Sequence, residues 1–197
     1  MTKISQRWPE CVNLLVPFSR NYAGEMHASE MARQLQLPQK TVARKLDTLR
    51  EKHLLNYKRV GKNKLFYLDL KRGASLSLLQ IIESYKEIGF SLCYPQLYIF
   101  LEELSFVCPV ILFGSYAKGR AKEDSDVDVV LLARKSKGID SVLKKYPFKV
   151  QAHYVSFALF KKQLYSGHSL AKEIAKDHVF FGEKEKVIKL LIDYYRR

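Results

Sequence analysis

Gly114-Ser115-Tyr116-Ala117-Lys118-Gly119-Arg120, then Ala121-Lys122-Glu123-Asp124 and Ser125-Asp126-Val127-Asp128, lie between the apolar runs Val110-Ile111-Leu112-Phe113 and Val129-Val130-Leu131-Leu132. Short apolar runs bounded by turn residues predict two buried strands. Gly114 ends the first of them, where a residue without Cβ lets the backbone approach a triphosphate closely. Ser115 offers a hydroxyl and an amide, and a helix beginning at about this residue turns free N–H groups and a positive dipole end toward phosphates. Asp126 and Asp128 stand two apart on a strand, so their side chains leave one face together. Carboxylates are the hard oxygen ligands that magnesium takes. In a two-metal reaction one ion activates the attacking hydroxyl and the other stabilises charge on the leaving oxygens. The spacing points to nucleotidyl transfer, with Asp126, Asp128 and Ser115 as catalytic candidates. Gly114, Ser115, Lys118 and Arg120 are the candidate nucleotide contacts. A turn and loop that merely connect two strands, with both carboxylates solvated, is the competing explanation.

With Gly114, Ser115, Gly119, Ser125, Asp126 and Asp128 in place, the segment resembles the nucleotidyltransferase superfamily typified by DNA polymerase β, and within it the minimal nucleotidyltransferases of prokaryotes. The resemblance runs from about Pro109 to Arg197, because the ending from Leu170-Ala171-Lys172-Glu173-Ile174 through Gly182-Glu183 also looks like the tails of small members. It implies a nucleoside triphosphate as substrate or ligand and magnesium (Mg2+) or manganese as cofactor, held by Asp126 and Asp128. Active members carry a third carboxylate on a later strand. Here the candidate strand, Lys149 to Val155, contains no Asp or Glu. Its alternation puts Lys149, Gln151 and His153 on one face. Gln151 and His153 are the possible substitutes as metal ligands, through an amide oxygen and a neutral imidazole. A hydrogen-bonded structural histidine is the alternative for His153, and an ordinary basic surface loop is the alternative for Lys118, Arg120 and Lys122.

The first third of the chain carries a separate pattern, that of a winged helix-turn-helix. Val12, Leu15, Val16 and Phe18 predict a first helix over about Trp8 to Phe18, which Pro17 ends or kinks. Glu30 to Leu35 predicts a second helix, capped by Ser29, and a third starts with Pro38 at its first position. In that third helix Val42, Leu46 and Leu49 recur on one face, leaving Gln39, Lys40, Thr41, Arg44, Lys45 and Thr48 outside as groove-facing candidates. Leu54 to Val60 and Lys64 to Leu70 then form a predicted hairpin about Gly61-Lys62-Asn63. Lys58, Arg59, Lys62 and Lys64 cluster on it as candidate DNA contacts, with a solvated basic hairpin as the alternative.

Charge agrees with this division. The chain of 197 residues has a formal net charge of +14. Residues 1–72 hold 15 Lys and Arg against 6 Asp and Glu, a net +9, and the remainder is +5. A module that neutralises phosphates needs such an excess, and double-stranded DNA is the implied partner. The fold class expected is α+β, in three parts: a winged helix-turn-helix over 1–72, a helical connector over 73–107 and a nucleotidyltransferase-like domain over 108–197. In the connector, Leu76, Leu79, Ile82 and Tyr85, then Leu97, Phe100, Leu101 and Leu104, predict two helices broken near Tyr94-Pro95. They pack within the chain or form a homodimer seam. Ser169 to Tyr195 predicts two more helices separated at Val179 to Gly182.

The hydrophobic content of 47% supports a core in each domain. No apolar run reaches the roughly 20 residues that span a bilayer, and Met1 to Gln6 lacks a signal-peptide core, so no membrane partner and a cytoplasmic location are expected. Cys11, Cys93 and Cys108 are expected as buried free thiols. Two functions follow. One is an enzyme that transfers a nucleoside monophosphate to a protein or RNA hydroxyl, directed by its DNA-binding end. The resemblance to minimal transferases that act as antitoxins extends this to a toxin-like protein partner. The other is a transcriptional regulator whose degenerate transferase domain senses nucleotide or binds a partner.

Overall fold

The computed structural model describes residues 8–197, with side chains from Cys11 onward, so the expectation about Met1 to Gln6 lies outside the described residues. Contacts divide the chain into two units, one made of residues up to Tyr85 together with Leu191–Arg197, the other of Lys86–Leu190.

In the first unit, helix α1 (Trp8–Leu15) passes into a 3-10 turn over Val16–Arg20 with Pro17 in its first turn, so the proline ends the α-helix as its missing N–H requires. Strand β1 (Met26–His27) leads into α2 (Ala28–Leu35). The expected Ser29 cap is corrected: Ser29 lies inside α2, and His27 holds the cap position without a side-chain hydrogen bond. Gln36 closes α2 in the left-handed conformation at φ 53°, and its N–H donates to Ala32 and Arg33 carbonyls. Helix α3 (Gln39–Glu51) begins one residue later than expected, with Pro38 as its cap rather than its first residue. Val42, Leu46 and Leu49 are buried on one side of α3.

The hairpin is shorter than expected, β2 (Asn56–Val60) against β3 (Asn63–Tyr67). Val60 pairs with Asn63, leaving Gly61-Lys62 as a two-residue loop. Gly61 at φ 60° stands at the first loop position, which a type II′ turn reserves for glycine. β1 adds to the free side of β3, giving an antiparallel sheet ordered β1-β3-β2. Helix α4 (Gly73–Cys93) starts here with Leu78, Leu79 and Ile82 buried. Glu83, also buried, accepts a hydrogen bond from the Tyr22 hydroxyl at 3.0 Å.

The second unit is built on a four-stranded mixed sheet. After the break at Tyr94-Pro95 comes α5 (Pro95–Ser105), then β4 (Val110–Leu112), α6 (Gly114–Ala117) and β5 (Val127–Leu131). Helix α7 (Lys137–Lys145), capped by the Ser136 hydroxyl, crosses to β6 (Val150–Tyr154). Then follow α8 (Phe157–Tyr165), α9 (Ser169–Lys176), β7 (Val179–Phe181) and α10 (Lys184–Tyr195). The sheet order is β6-β5-β4-β7, with β5 and β6 parallel and β4 antiparallel to both its neighbours. The overall class is mixed α+β.

The two helices expected over Ser169 to Tyr195 are separated at Val179 to Gly182 as read, and the separator itself contributes an edge strand of three buried residues. β5 starts at Val127, two residues before the expected run, which places Asp128 within the strand and Asp126 at its threshold. Val127, Val129 and Leu131 face a core made with Leu97, Phe100, Leu101 and Leu104 of α5 and Ile139 and Val142 of α7. Strand alternation therefore turns Asp128 to the opposite side. Of the thiols only Cys108 is buried as expected; Cys11 is half-buried and Cys93 is exposed, at the end of α4.

Candidate active site

Gly114 follows β4 after Phe113 and has φ 71°, a conformation costly for any residue with a Cβ. Its lack of a side chain serves the neighbouring strand. A Cβ at this position would stand 2.1 Å from Asp128 Oδ2 and 3.2 Å from Asp128 Cβ. The Asp128 carboxylate thus packs onto the bare Cα of Gly114, and the Phe113 N–H donates to the Asp128 carbonyl at 3.0 Å. This close approach is a reason for Gly114 additional to the room for phosphate read in the sequence.

Ser115 sits half-buried in the single turn of α6. Tyr116 fixes that turn by meeting the Tyr94 ring edge-on at 5.2 Å. Gly119, at φ 64°, reverses the chain, and the Arg120 N–H returns to the Ser115 carbonyl at 2.9 Å. Ser125 Oγ accepts from the Lys122 N–H at 2.8 Å, closing the loop just before Asp126. The motif is therefore folded back so that Gly114 and Asp128 touch across β4 and β5.

Strand β6 lies beside the carboxylates as the alternation predicts. Asp128 pairs with Gln151, Val130 pairs with His153, and both β6 side chains are exposed. Gln151 Nε2 donates to Asp126 Oδ2 at 2.5 Å. Its amide meets the site as a donor to Asp126, not through the oxygen expected to ligate metal. Lys149, just ahead of β6, places its Nζ 2.7 Å from Asp126 Oδ1. The contact is a charge pair rather than an aligned hydrogen bond, because Oδ1 has no hydrogen-bond partner of good geometry. His153 lies against Phe113, ring centres 5.8 Å apart. Lys118 is paired with Glu173 of α9, Nζ to Oε1 2.5 Å, whereas Arg120 and Lys122 are exposed. Lys149 and Glu173 are the two charged groups that the motif reading did not assign to the site.

The two aspartates have opposite electrostatic surroundings. The Lys149 ammonium, with the Gln151 amide second, holds the Asp126 carboxyl below the usual carboxylate range. Burial first, then the charge of Asp126, pushes the Asp128 carboxyl up, with Glu173 adding to the rise and His153 and Lys118 opposing it. Asp126 accordingly contributes stability above its unfolded-state value that is lost as pH falls through its folded value. Asp128 has the opposite sign: its ionisation costs stability as pH rises toward its raised value. Carboxyl carbon NMR of the full chain is expected to show Asp128 titrating above Asp126. Coincident or inverted titrations would contradict this placement.

Among the described residues no group of three His, Cys, Asp or Glu has the spacing of a metal site. The two adjacent carboxylates, close enough for one to perturb the other, suit a divalent cation between them. From β6 the neutral Gln151 amide reaches Asp126.

Residues 97–193 match the family model described as a nucleotidyltransferase domain. This part of the chain is similar to a nucleotidyltransferase domain. Its match begins at Leu97, inside α5, whose buried face packs into the same core as β4 and β5. No curated protein and no solved structure matches the chain. The Gly114, Ser115, Asp126 and Asp128 set lies wholly inside the matched segment. None of the described helices is long and apolar enough to cross a membrane.

In the other unit, Gln39, Lys40, Arg44 and Thr48 are exposed on α3, while Thr41 and Lys45 are half-buried. Thr48 Oγ1 donates back to the Arg44 carbonyl at 3.0 Å. The hairpin cations divide into two kinds. Lys58 pairs with Glu25 at 2.6 Å, and Lys64 pairs with Asp47 at 2.6 Å while lying 5.2 Å from the Tyr57 ring centre. Arg59 and Lys62 are exposed at the tip.

Proposed function

We propose that the nucleotidyltransferase domain binds a nucleoside triphosphate with a divalent cation at Asp126 and Asp128 and transfers the nucleoside monophosphate to a protein or RNA hydroxyl. The observation that carries this reading is the packing of the Asp128 carboxylate on the bare Cα of Gly114, beside Asp126. In such a transfer the acceptor oxygen forms a bond to the α-phosphorus, pyrophosphate leaves, and the hydroxyl gives up its proton. A magnesium or manganese ion, when bound, neutralises phosphate charge and stabilises the leaving oxygens. Asp126 and Asp128 hold it, Ser115 offers its hydroxyl and amide to phosphate, and Lys118 supplies a cation at the same edge.

The experiment is incorporation of label from α-phosphate-labelled nucleoside triphosphates into RNA and proteins of the source cell, with magnesium or manganese. Labelled acceptor in the wild type and none in an Asp126→Ala, Asp128→Ala variant supports transfer. A second reading, a regulator that binds nucleotide without transferring it, is favoured by one observation: an amide rather than an acid from β6 meets Asp126. Nucleotide binding without label in any acceptor, across four bases and both metals, supports that reading instead.

The basic unit is proposed as a winged helix-turn-helix that places α3 in the major groove of double-stranded DNA. Supporting this are the tight Gln36 turn between α2 and α3, the exposed Gln39, Lys40 and Arg44, and the hairpin carrying Arg59 and Lys62 at its tip. Lys58 and Lys64 contribute less, being held by Glu25 and Asp47. Arg44→Ala or Lys40→Ala is expected to weaken DNA binding and to reduce the slope of log affinity against log salt by about 1 each. Fluorescence anisotropy over a salt series measures this. An unchanged slope in both variants removes α3 from the phosphate contacts.

A further inference from the structure

Both oxygens of Asp126 are already engaged by β6 and the residue just ahead of it. Lys149 Nζ stands 2.7 Å from Oδ1, and Gln151 Nε2 donates to Oδ2 at 2.5 Å. The placement is built into the backbone. The Val127 N–H donates to the Lys149 carbonyl at 2.8 Å, and Val127 and Asp128 pair with Val150 and Gln151. The Lys149 backbone is thereby held beside Asp126, and in the observed rotamer its ammonium reaches Oδ1. β6 is also the strand whose exposed face meets the aspartates, the place from which a third acid would come. It supplies a positive charge and a neutral donor instead. Two carboxylates and one ammonium leave these three side chains at a net −1, too little to hold two divalent ions close together.

We infer that Lys149 acts as a tethered cation on Asp126, with Gln151 fixing the carboxylate, so that the site takes one divalent ion rather than two. The inference rests on the proposed nucleotide site and specifies its metal content. The ion enters with the triphosphate, whose oxygens supply the ligands β6 lacks, and the second cation position belongs to the protein. Lys149 has 81% of its side chain exposed, so the pair competes with metal without excluding it. Exposed ion pairs of this kind correspond to roughly one-and-a-half- to fivefold in an equilibrium constant.

The test counts manganese on the full chain by electron paramagnetic resonance of the free ion, without nucleotide and with an α,β-methylene triphosphate that cannot be cleaved there. One manganese per wild-type chain with nucleotide is expected. Lys149→Met is expected to tighten manganese binding without nucleotide by roughly one-and-a-half- to fivefold, and Lys149→Arg to leave it unchanged. A Lys149→Met, Gln151→Asp variant is expected to hold two ions with nucleotide. Two ions on the wild-type chain, or equal manganese affinity in wild type and Lys149→Met, overturns the inference. If the wild type binds no triphosphate, the nucleotide-site reading falls, and the nucleotide-free comparison still decides the role of Lys149.

Discussion

Gly114→Ala is expected to lower the stability of the protein and to remove nucleotide binding in the same step. The left-handed backbone at φ 71° costs a residue with a Cβ about 1–2 kcal/mol. The new methyl also lands 2.1 Å from Asp128 Oδ2 and 3.0 Å from its Cγ, inside van der Waals contact. Because the obstructing atoms end a side chain, the carboxylate can turn away, but only by leaving its position beside Asp126. The backbone strain and the side-chain clash are separable by a double-mutant cycle. In an Asp128→Ala background the clashes with Oδ2 and Cγ are gone and only the 3.2 Å approach to Cβ remains, so Gly114→Ala there should cost little beyond the backbone strain. Denaturant unfolding of the four proteins measures the coupling, and strictly additive effects would contradict the proposed packing of Asp128 on Gly114.

The Asp126→Ala, Asp128→Ala variant is expected to lose transfer by roughly a hundredfold or more, since removing charged groups aligned with developing phosphate charge costs rates of that order. Its fold should survive, because the core on the other side of β5 is made by Val127, Val129 and Leu131. Far-ultraviolet circular dichroism and the unfolding midpoint establish the second point, and label incorporation the first. Transfer that persists in a folded variant would locate the chemistry away from this motif.

How much of this site was legible in the sequence depends on how each residue is held. Gly114, Ser115, Asp126 and Asp128 were readable because a strand, a sharp turn and a second strand fix their spacing locally. Gln151 and His153 were readable because strand alternation puts them on one face, and the register with Asp128 and Val130 bears this out. Lys149 shares that alternation, yet a lysine at a strand start has no distinguishing neighbours, and its hold on Asp126 depends on parallel pairing. Glu173 gave no signal, since it meets Lys118 from 55 residues away and from a separate helix. The steric reason for Gly114 was hidden too, because it lies in the partner strand's side chain.

The same logic separates elements found from elements missed. Helix α3 was legible from Val42, Leu46 and Leu49, which share one buried face. β7 was missed because Val179, Phe180 and Phe181 are all buried and show no alternation between two helices. β1 has only two residues and exists through its pairing with Leu65 and Phe66. The exposure of Cys93 escaped because an apolar helix end predicts burial unless the packing partner is known.

The most direct measurement is equilibrium binding of each of the four nucleoside triphosphates, with magnesium, to the full chain and to its Asp126→Ala, Asp128→Ala variant, by titration calorimetry. The account predicts one bound nucleotide per wild-type chain and a loss of binding in the variant. No binding of any triphosphate by the wild type, or undiminished binding by a folded variant, would contradict it.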